Sequence, residues 1–374
     1  KYGGMTETPQ TRTAPIMIAL ACAIGITAGF GAGLFTQLLQ WISSECIQPF
    51  VASERPWHFN LLLVLVPVLG LLIVAAITRT FAPETQGFGI PEVISAVGGK
   101  DGIIRPRISM VTPIANALCL GTGGSLGRAG PIVQIGSSLG STAGQWYGLS
   151  AGQIKTLVGC GTAAGISAIF HAPLAGVIFA CQVILGSFAV RSLTPIVVAS
   201  VIADVVQVNY GEHGLSPAFR GLKYDYLDSM SDLPLFFALG LLCGLAAVAF
   251  TKLLYRTEDV MHSAISRWWL RAIVAGILLG IAGLLYPTNP PSDPSSAQPQ
   301  PPLLGVGSGV VDHALHMENE SKLTKARSPD STMNPLSREQ MIQNLWWLLP
   351  LILLKPLLTS VTLAGGGSGG VFAP

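Results

Sequence analysis

Charge is what this sequence most lacks. Among 374 residues, 21 are Lys or Arg and 19 are Asp or Glu, so charged residues make up 11%, against about 25% in soluble domains. The net charge of +2 forms no basic stripe with interleaved aromatics, which leaves nucleic-acid binding without support. Cysteine is sparse and scattered: Cys22, Cys46, Cys119, Cys160, Cys181 and Cys243 form no C-x-x-C pair. No histidine stands at metal-ligand spacing beside them, so they read as small buried hydrophobes and not as a metal centre. No catalytic triad, phosphate loop or metal-ligand cluster stands out. The expectation is therefore a non-enzyme without metal or cofactor.

What is present is apolar length. Half of the residues are hydrophobic and the mean hydropathy is +0.57. The runs 16–42 and 61–77 and the stretch 156–190 carry no Asp, Glu, Lys or Arg between them apart from none at all in each core run. A spanning helix needs about 20 such residues, so the chain reads as an all-α polytopic membrane protein. The first run is too long for a signal-peptide core and lacks a basic flank. Membrane segments are expected at 15–43, 59–81, 108–120, 131–147, 152–168, 172–188, 193–208, 233–256, 268–286 and 343–363. Several are short and cut by Gly or Pro, as where half-helices meet inside a bilayer. Basic residues in 100–107, at Arg191 and at Lys252 and Arg256 place those ends on the cytoplasmic side. The polar stretches 287–303 and 316–340 read as surface loops.

One pattern repeats. "GGSLGRAGPIVQIGSS" (123–138) has Gly123, Gly124, Gly127 and Gly130 around a single cation, Arg128, with Pro131 following. "GGGSGGVFAP" (365–374) and "GFGIPE" (87–92) repeat the arrangement of glycines followed by proline. Proline starts helices because its missing N–H costs nothing in the first turn. Glycine lets an object approach the backbone closely. Helix N-termini carry unpaired donors and about half a positive charge, which suits an anion. Removing a small ion from water costs on the order of 20 kcal/mol. Convergent amides offset much of that while binding weakly enough for release. The competing explanation, that glycines merely allow tight helix crossing, covers each stretch alone less well than all three together.

At these residues the chain resembles a known family. "GFGIPE", "GGSLGRAGPIVQIG", "HAPLAGVIF" and "GGGSGGVFAP", in that order, look like the signature stretches of the CLC chloride channels and chloride/proton exchangers. The resemblance implies a CLC-type inverted repeat with tilted, partly re-entrant helices. It implies an N-terminal tail (1–13), a first half (14–209), a connecting loop (210–231) and a second half (232–374) lacking the last helices. It also implies a homodimer with one pore per subunit, with a bound chloride or similar inorganic anion. The implied anion-binding positions are Phe88, Gly89, Ile90, Gly127, Arg128, Ala129, Gly130, Val371 and Phe372. Arg128 would raise the local anion concentration.

Three departures shape the expected mechanism. Family members mostly have a gating glutamate where this chain has Ala129, which has neither charge to compete with an anion nor a proton to carry. The inner proton-site positions read Gln182 and Val183, neither titratable. Phe88 stands where a serine often donates to the anion. Passive, proton-independent anion transport is the leading expectation. The alternatives are a chloride/proton antiporter using a substitute acid, Asp204 or Glu92, and a non-transporting membrane scaffold subunit. Glu92 reads first as a partner of its own helix dipole, Asp204 as a satisfied acid, and His171 as a core histidine bonded to backbone. Lys355 reads as snorkelling or paired with an acid or a helix C-terminus.

Overall fold

A computed structural model describes residues 9–51, 62–81, 89–210, 233–286, 301–307, 310–311 and 338–371. Among them every extended regular element is helical, in the order α1 (Pro9–Cys46), α2 (Gln48–Val51), α3 (Leu62–Phe81), α4 (Ile90–Gly99), α5 (Ile108–Gly121), α6 (Ala129–Trp146), α7 (Ala151–Phe170), α8 (Pro173–Phe179), α9 (Val190–Tyr210), α10 (Leu233–Ala264), α11 (Trp268–Leu285) and α12 (Arg338–Ala364). The end of α8 widens into one π-helical turn over Ala180–Ile184. Six helices are long and apolar enough to cross a membrane: α1, α3, α9, α10, α11 and α12. Helices α4, α5 and the α8 segment are shorter apolar pieces. The all-helical polytopic architecture is as expected from the sequence.

The two most enclosed helices are not the most apolar. Nearly every residue of α6 is buried, including Gly136, Ser137, Ser138, Gly140, Ser141 and Thr142, and α7 buries its stretch from Leu157 to Ala168. Small residues serve there because both helices face protein and their backbones must approach closely. A Cβ placed on Gly136 would overlap the carbonyl oxygen of Gly161, and one on Gly161 would overlap that of Gly136. The hydroxyls of Ser137 and Thr162 meet across the same contact at 2.8 Å. Two further seams use the same four-residue period. Gly25 and Gly29 of α1 lie against the carbonyls of Ala199 and Ala203 of α9, and Gly276 and Gly280 of α11 lie against Val68 and Val64 of α3. Glycine ridges thus substitute for the hydrophobic drive that lipid removes.

The boundaries differ from expectation in four places. Helix α1 begins at Pro9, so the tail expected over 1–13 enters the helix early; Pro is accepted in a first turn. Helix α10 runs on to Ala264, eight residues past the expected 256, since a charged helix tip outside the apolar run breaks no backbone hydrogen bond. Residues 338–340 of the expected loop 316–340 belong to α12, and 316–337 lie outside the described residues. The end of the 287–303 loop is not at the surface: Leu303 and Leu304 are 1% and 5% exposed. The two leucines fill space beside Gly283 of α11, a packing role that the preceding Pro/Ser composition conceals. Most of the expected connecting loop, residues 211–231, lies outside the described residues.

Because the α6–α7 crossing leaves no room for a side chain, Gly161→Val is expected to cost about 3 kcal/mol and to lower the thermal midpoint in detergent. Gly152→Ala, at a position with open space around it, is expected to leave that midpoint unchanged or slightly raised.

Candidate anion site

Two of the three glycine-rich stretches meet through their backbones. Gly127 N–H donates to Gly370 O at 2.7 Å, and Gly370 N–H donates to Gly127 O at 2.9 Å. This antiparallel bridge is isolated from any strand. It joins the residue two before α6 to the far side of α12's terminal turn. The third stretch closes on the same point. A Cβ on Gly89 would stand 3.1 Å from Gly130 O, and one on Gly370 would stand 2.7 Å from Gly130 N. Gly89 also has φ +71°, a backbone conformation that glycine tolerates best. Only residues without side chains allow three chain segments to approach this closely.

The bridge divides the amides into used and unused. Those of Gly127 and Gly370 are engaged with each other. Helix α6 starts at Ala129 and α4 at Ile90, and first-turn amides have no acceptor in their own helix. The amides of Ile90, Ala129, Gly130 and Val371 have no backbone acceptor among the described residues. Pro131, expected at the first helical position, is instead the third residue of α6; its missing N–H is harmless anywhere in the first turn. Ala129 is 1% exposed, so its methyl group is enclosed. Arg128 stands half-buried at the N-cap. Phe88 and Phe372 lie outside the described residues.

Side chains tie the helices that bear these amides. Gln134 Nε2 of α6 donates to Glu92 Oε2 of α4 at 2.5 Å. Glu92 sits in the first turn of α4, so it complements that helix's dipole as expected and also links α4 to α6. Buried Ser125 accepts the contact at its amide nitrogen from neither motif: its N–H donates to Thr362 Oγ1 of α12 at 3.3 Å. Its own hydroxyl oxygen has no partner among the described residues.

The other flagged residues lie apart from this cluster in the hydrogen-bond pattern. Gln182 and Val183 occupy the π-helical turn and are exposed. No sequence signal marked that turn, which widens the helix at the two positions that resemblance singled out. His171 caps α7 with φ 50°, and its Nδ1 pairs with Asp204 Oδ1 of α9 at 2.9 Å. The expected backbone partner is thus replaced by a carboxylate, and Asp204 is satisfied as expected. Lys355 is 8% exposed, and its Nζ donates to Gly305 O at 2.8 Å and to Leu303 O at 3.4 Å. It therefore holds the carbonyls of a buried loop and neither snorkels nor meets an acid among the described residues. A cation in a run of leucines was the available signal for such a role.

The model of the voltage-gated chloride channel family matches residues 69–374. The chain belongs to the CLC family. CLC proteins are membrane anion transporters, and this chain is accordingly an integral membrane protein. It is similar to a putative chloride channel protein ClcB-like of Ralstonia nicotianae, with 26% identity over 96% of this chain and 75% of the relative. The chloride channel protein CLC-e of Arabidopsis thaliana is 32% identical over 74% of this chain and 41% of that protein. The H(+)/Cl(-) exchange transporter ClcA of Salmonella paratyphi B is 28% identical over 74% of this chain and 60% of its own length. The chain thus spans between two fifths and three quarters of these relatives. Among solved structures, a slow cyanobacterial Cl-/H+ antiporter superposes with TM-score 0.73 and 22% identity, covering 96% of this chain and 76% of that one. A CLC-type fluoride/proton antiporter superposes with TM-score 0.71 and 22% identity, covering 97% and 78%. Both likenesses establish the CLC fold.

If the bridge sets the positions of the unused amides, Gly370→Ala is expected to weaken chloride binding to the full-length protein by about tenfold or more, because the new methyl group must displace Gly130. Isothermal titration with chloride checks this, and Gly98→Ala, at an open position, is the matched control.

Proposed function

We propose that the full-length protein carries chloride-type inorganic anions passively, as a homodimer with one pathway per subunit and without proton coupling. The observation that carries this reading is Ala129: an enclosed methyl group at the first position of α6, between an arginine cap and unused amides. An anion there meets partial positive charge from helix N-termini and no competing carboxylate. The amides of Ile90, Ala129, Gly130 and Val371 supply the donors on this reading, with Phe88 and Phe372 flanking them in sequence. Arg128 attracts the ion without lying in its path. Gln182 and Val183 hold no proton, so both ends of a proton route lack an acid. No cofactor and no enzymatic step enters the scheme.

Proton-coupled exchange is the second reading. It is favoured by relatives named as exchange transporters and by the His171–Asp204 pair, which places a protonatable carboxylate within the helical bundle. A flux assay on reconstituted full-length protein, with chloride and pH recorded together, separates the two. Chloride efflux without uphill proton movement is the expected result. Fixed-ratio proton movement would establish exchange, and silence from an intact dimer would leave a scaffold role.

Restoring an acid gives the sharper test. Ala129→Glu is expected to lower flux at neutral pH by at least about tenfold and to recover it as the pH falls toward the ordinary carboxylate range, about 4 to 5. Flux unchanged at every pH would remove residue 129 from the pathway.

A further inference from the structure

A second concave site lies away from the glycine cluster, where α3, α10, α11 and α12 come together at their ends. It encloses about 180 Å³ and is lined by Arg79, Glu258, His262, Trp268 and Arg271, with the turn at 365–367 as its floor. Arg79 comes from the last turn of α3, His262 from the last turn of α10, and Arg271 from the first turn of α11.

Charge is unbalanced in this recess. Two guanidiniums and an imidazole share it with a single carboxylate, Glu258. Among the described residues the ion pairs are Lys155–Asp101 and His171–Asp204, so neither arginine has an acid within 4 Å there. Two cations held together beside the apolar walls of Ala75 and Leu363 repel each other unless an anion lies between them. The amides of the floor supply no donors, since those of Gly365, Gly366 and Gly367 are bonded to Val361, Leu363 and Thr362. Recognition therefore falls to the arginines. A guanidinium offers a planar fork that matches a phosphoryl group with two parallel hydrogen bonds.

Size and depth narrow the ligand. Sites for drug-sized molecules enclose about 300–1,000 Å³, so this one suits a single phosphate group and not a nucleotide base as well. Trp268 and Trp269 open α11 beside it, with Arg267 stacked 5.9 Å over the Trp269 ring. Tryptophan and arginine at a span's end mark the level of lipid headgroups.

We propose that this recess binds a phosphoryl anion, clamped by Arg79 and Arg271 with His262 beside them, at the headgroup level of the bilayer. Binding here stands apart from the transport reading, because no residue of the recess is among the proposed anion donors. The floor is nevertheless only three residues from Gly370, so an occupied site would hold the turn that leads into the glycine bridge.

The test uses the full-length protein in detergent. Native mass spectrometry counts retained lipid after exchange into phosphatidylglycerol or phosphatidylcholine, and titration with inorganic phosphate alone is run in parallel. Retention of phosphatidylglycerol at least about tenfold above phosphatidylcholine assigns a lipid headgroup. Phosphate binding without lipid preference assigns a soluble phosphate. Either ligand is expected to lose about tenfold or more in affinity in Arg79→Gln/Arg271→Gln. Glu258→Gln, which removes the only acid and leaves both arginines, is expected to tighten binding of the same ligand. No preference and no phosphate binding overturns the proposal, as does a double variant that binds like the parent or a Glu258→Gln variant that binds no more tightly. Chloride flux in the same preparations reports on transport separately, so either reading can fail alone.

Discussion

The pair of hydrogen bonds between Gly127 and Gly370 is the constraint around which the rest is arranged. Inside a bilayer, a peptide group that leaves a helix must find a protein partner or line a wet cavity. This chain leaves the helix at two remote places and brings the two exits together, so each satisfies one donor and one acceptor of the other. The adjoining amides, at Ala129, Gly130 and Val371, are then held in place without being consumed. A third exit, at Gly89, closes on Gly130. A cluster of fixed N–H dipoles is what remains once the obligatory pairings have been made.

Such convergence needs helices that pass unusually close. The seams at Gly136 with Gly161, at Gly25 and Gly29 with α9, and at Gly276 and Gly280 with α3 supply it. Lipid tails are as apolar as leucine, so association between spans rests on close packing and polar links. The hydroxyl pair Ser137–Thr162 and the Gln134–Glu92 bond provide such links around α6. The same logic explains Lys355. Its ammonium group satisfies carbonyls of the loop that feeds Leu303 and Leu304 under α11. A cation there stabilises a non-helical segment that would otherwise bury bare acceptors.

Much of this was legible in the residue order, for a physical reason. Helix spans follow from apolar length, and interrupted ones from glycine and proline, so all ten expected segments coincide with helices. The three glycine-rich stretches were readable as helix starts because proline and glycine have few other uses at such depth. What was not legible was pairing across long separations. Nothing near Gly127 in sequence points to Gly370, and nothing near His171 points to Asp204, 33 residues on. Those pairings depend on the relative rotation and height of whole helices. The π-helical turn over Ala180–Ile184 was hidden likewise, since it inserts one extra residue per turn without a change in composition.

The balance of full and partial charges near the cluster bears on what it does with an anion. Arg128 stands at the cap of α6, while Glu92 stands one turn into α4 with its carboxylate held by Gln134. The two full charges are of opposite sign and on different helices, so at a distance they largely offset each other. Close in, the field is dominated by the N-terminal dipoles, which fall off within the first turn. An ion in such a place is held over a short range and released once it moves away, which is the compromise that permeation demands. A glutamate at position 129 would add a third full charge inside that short range and turn an attractive site into an occupied one. With alanine there, the balance between Arg128 and Glu92 is left undisturbed.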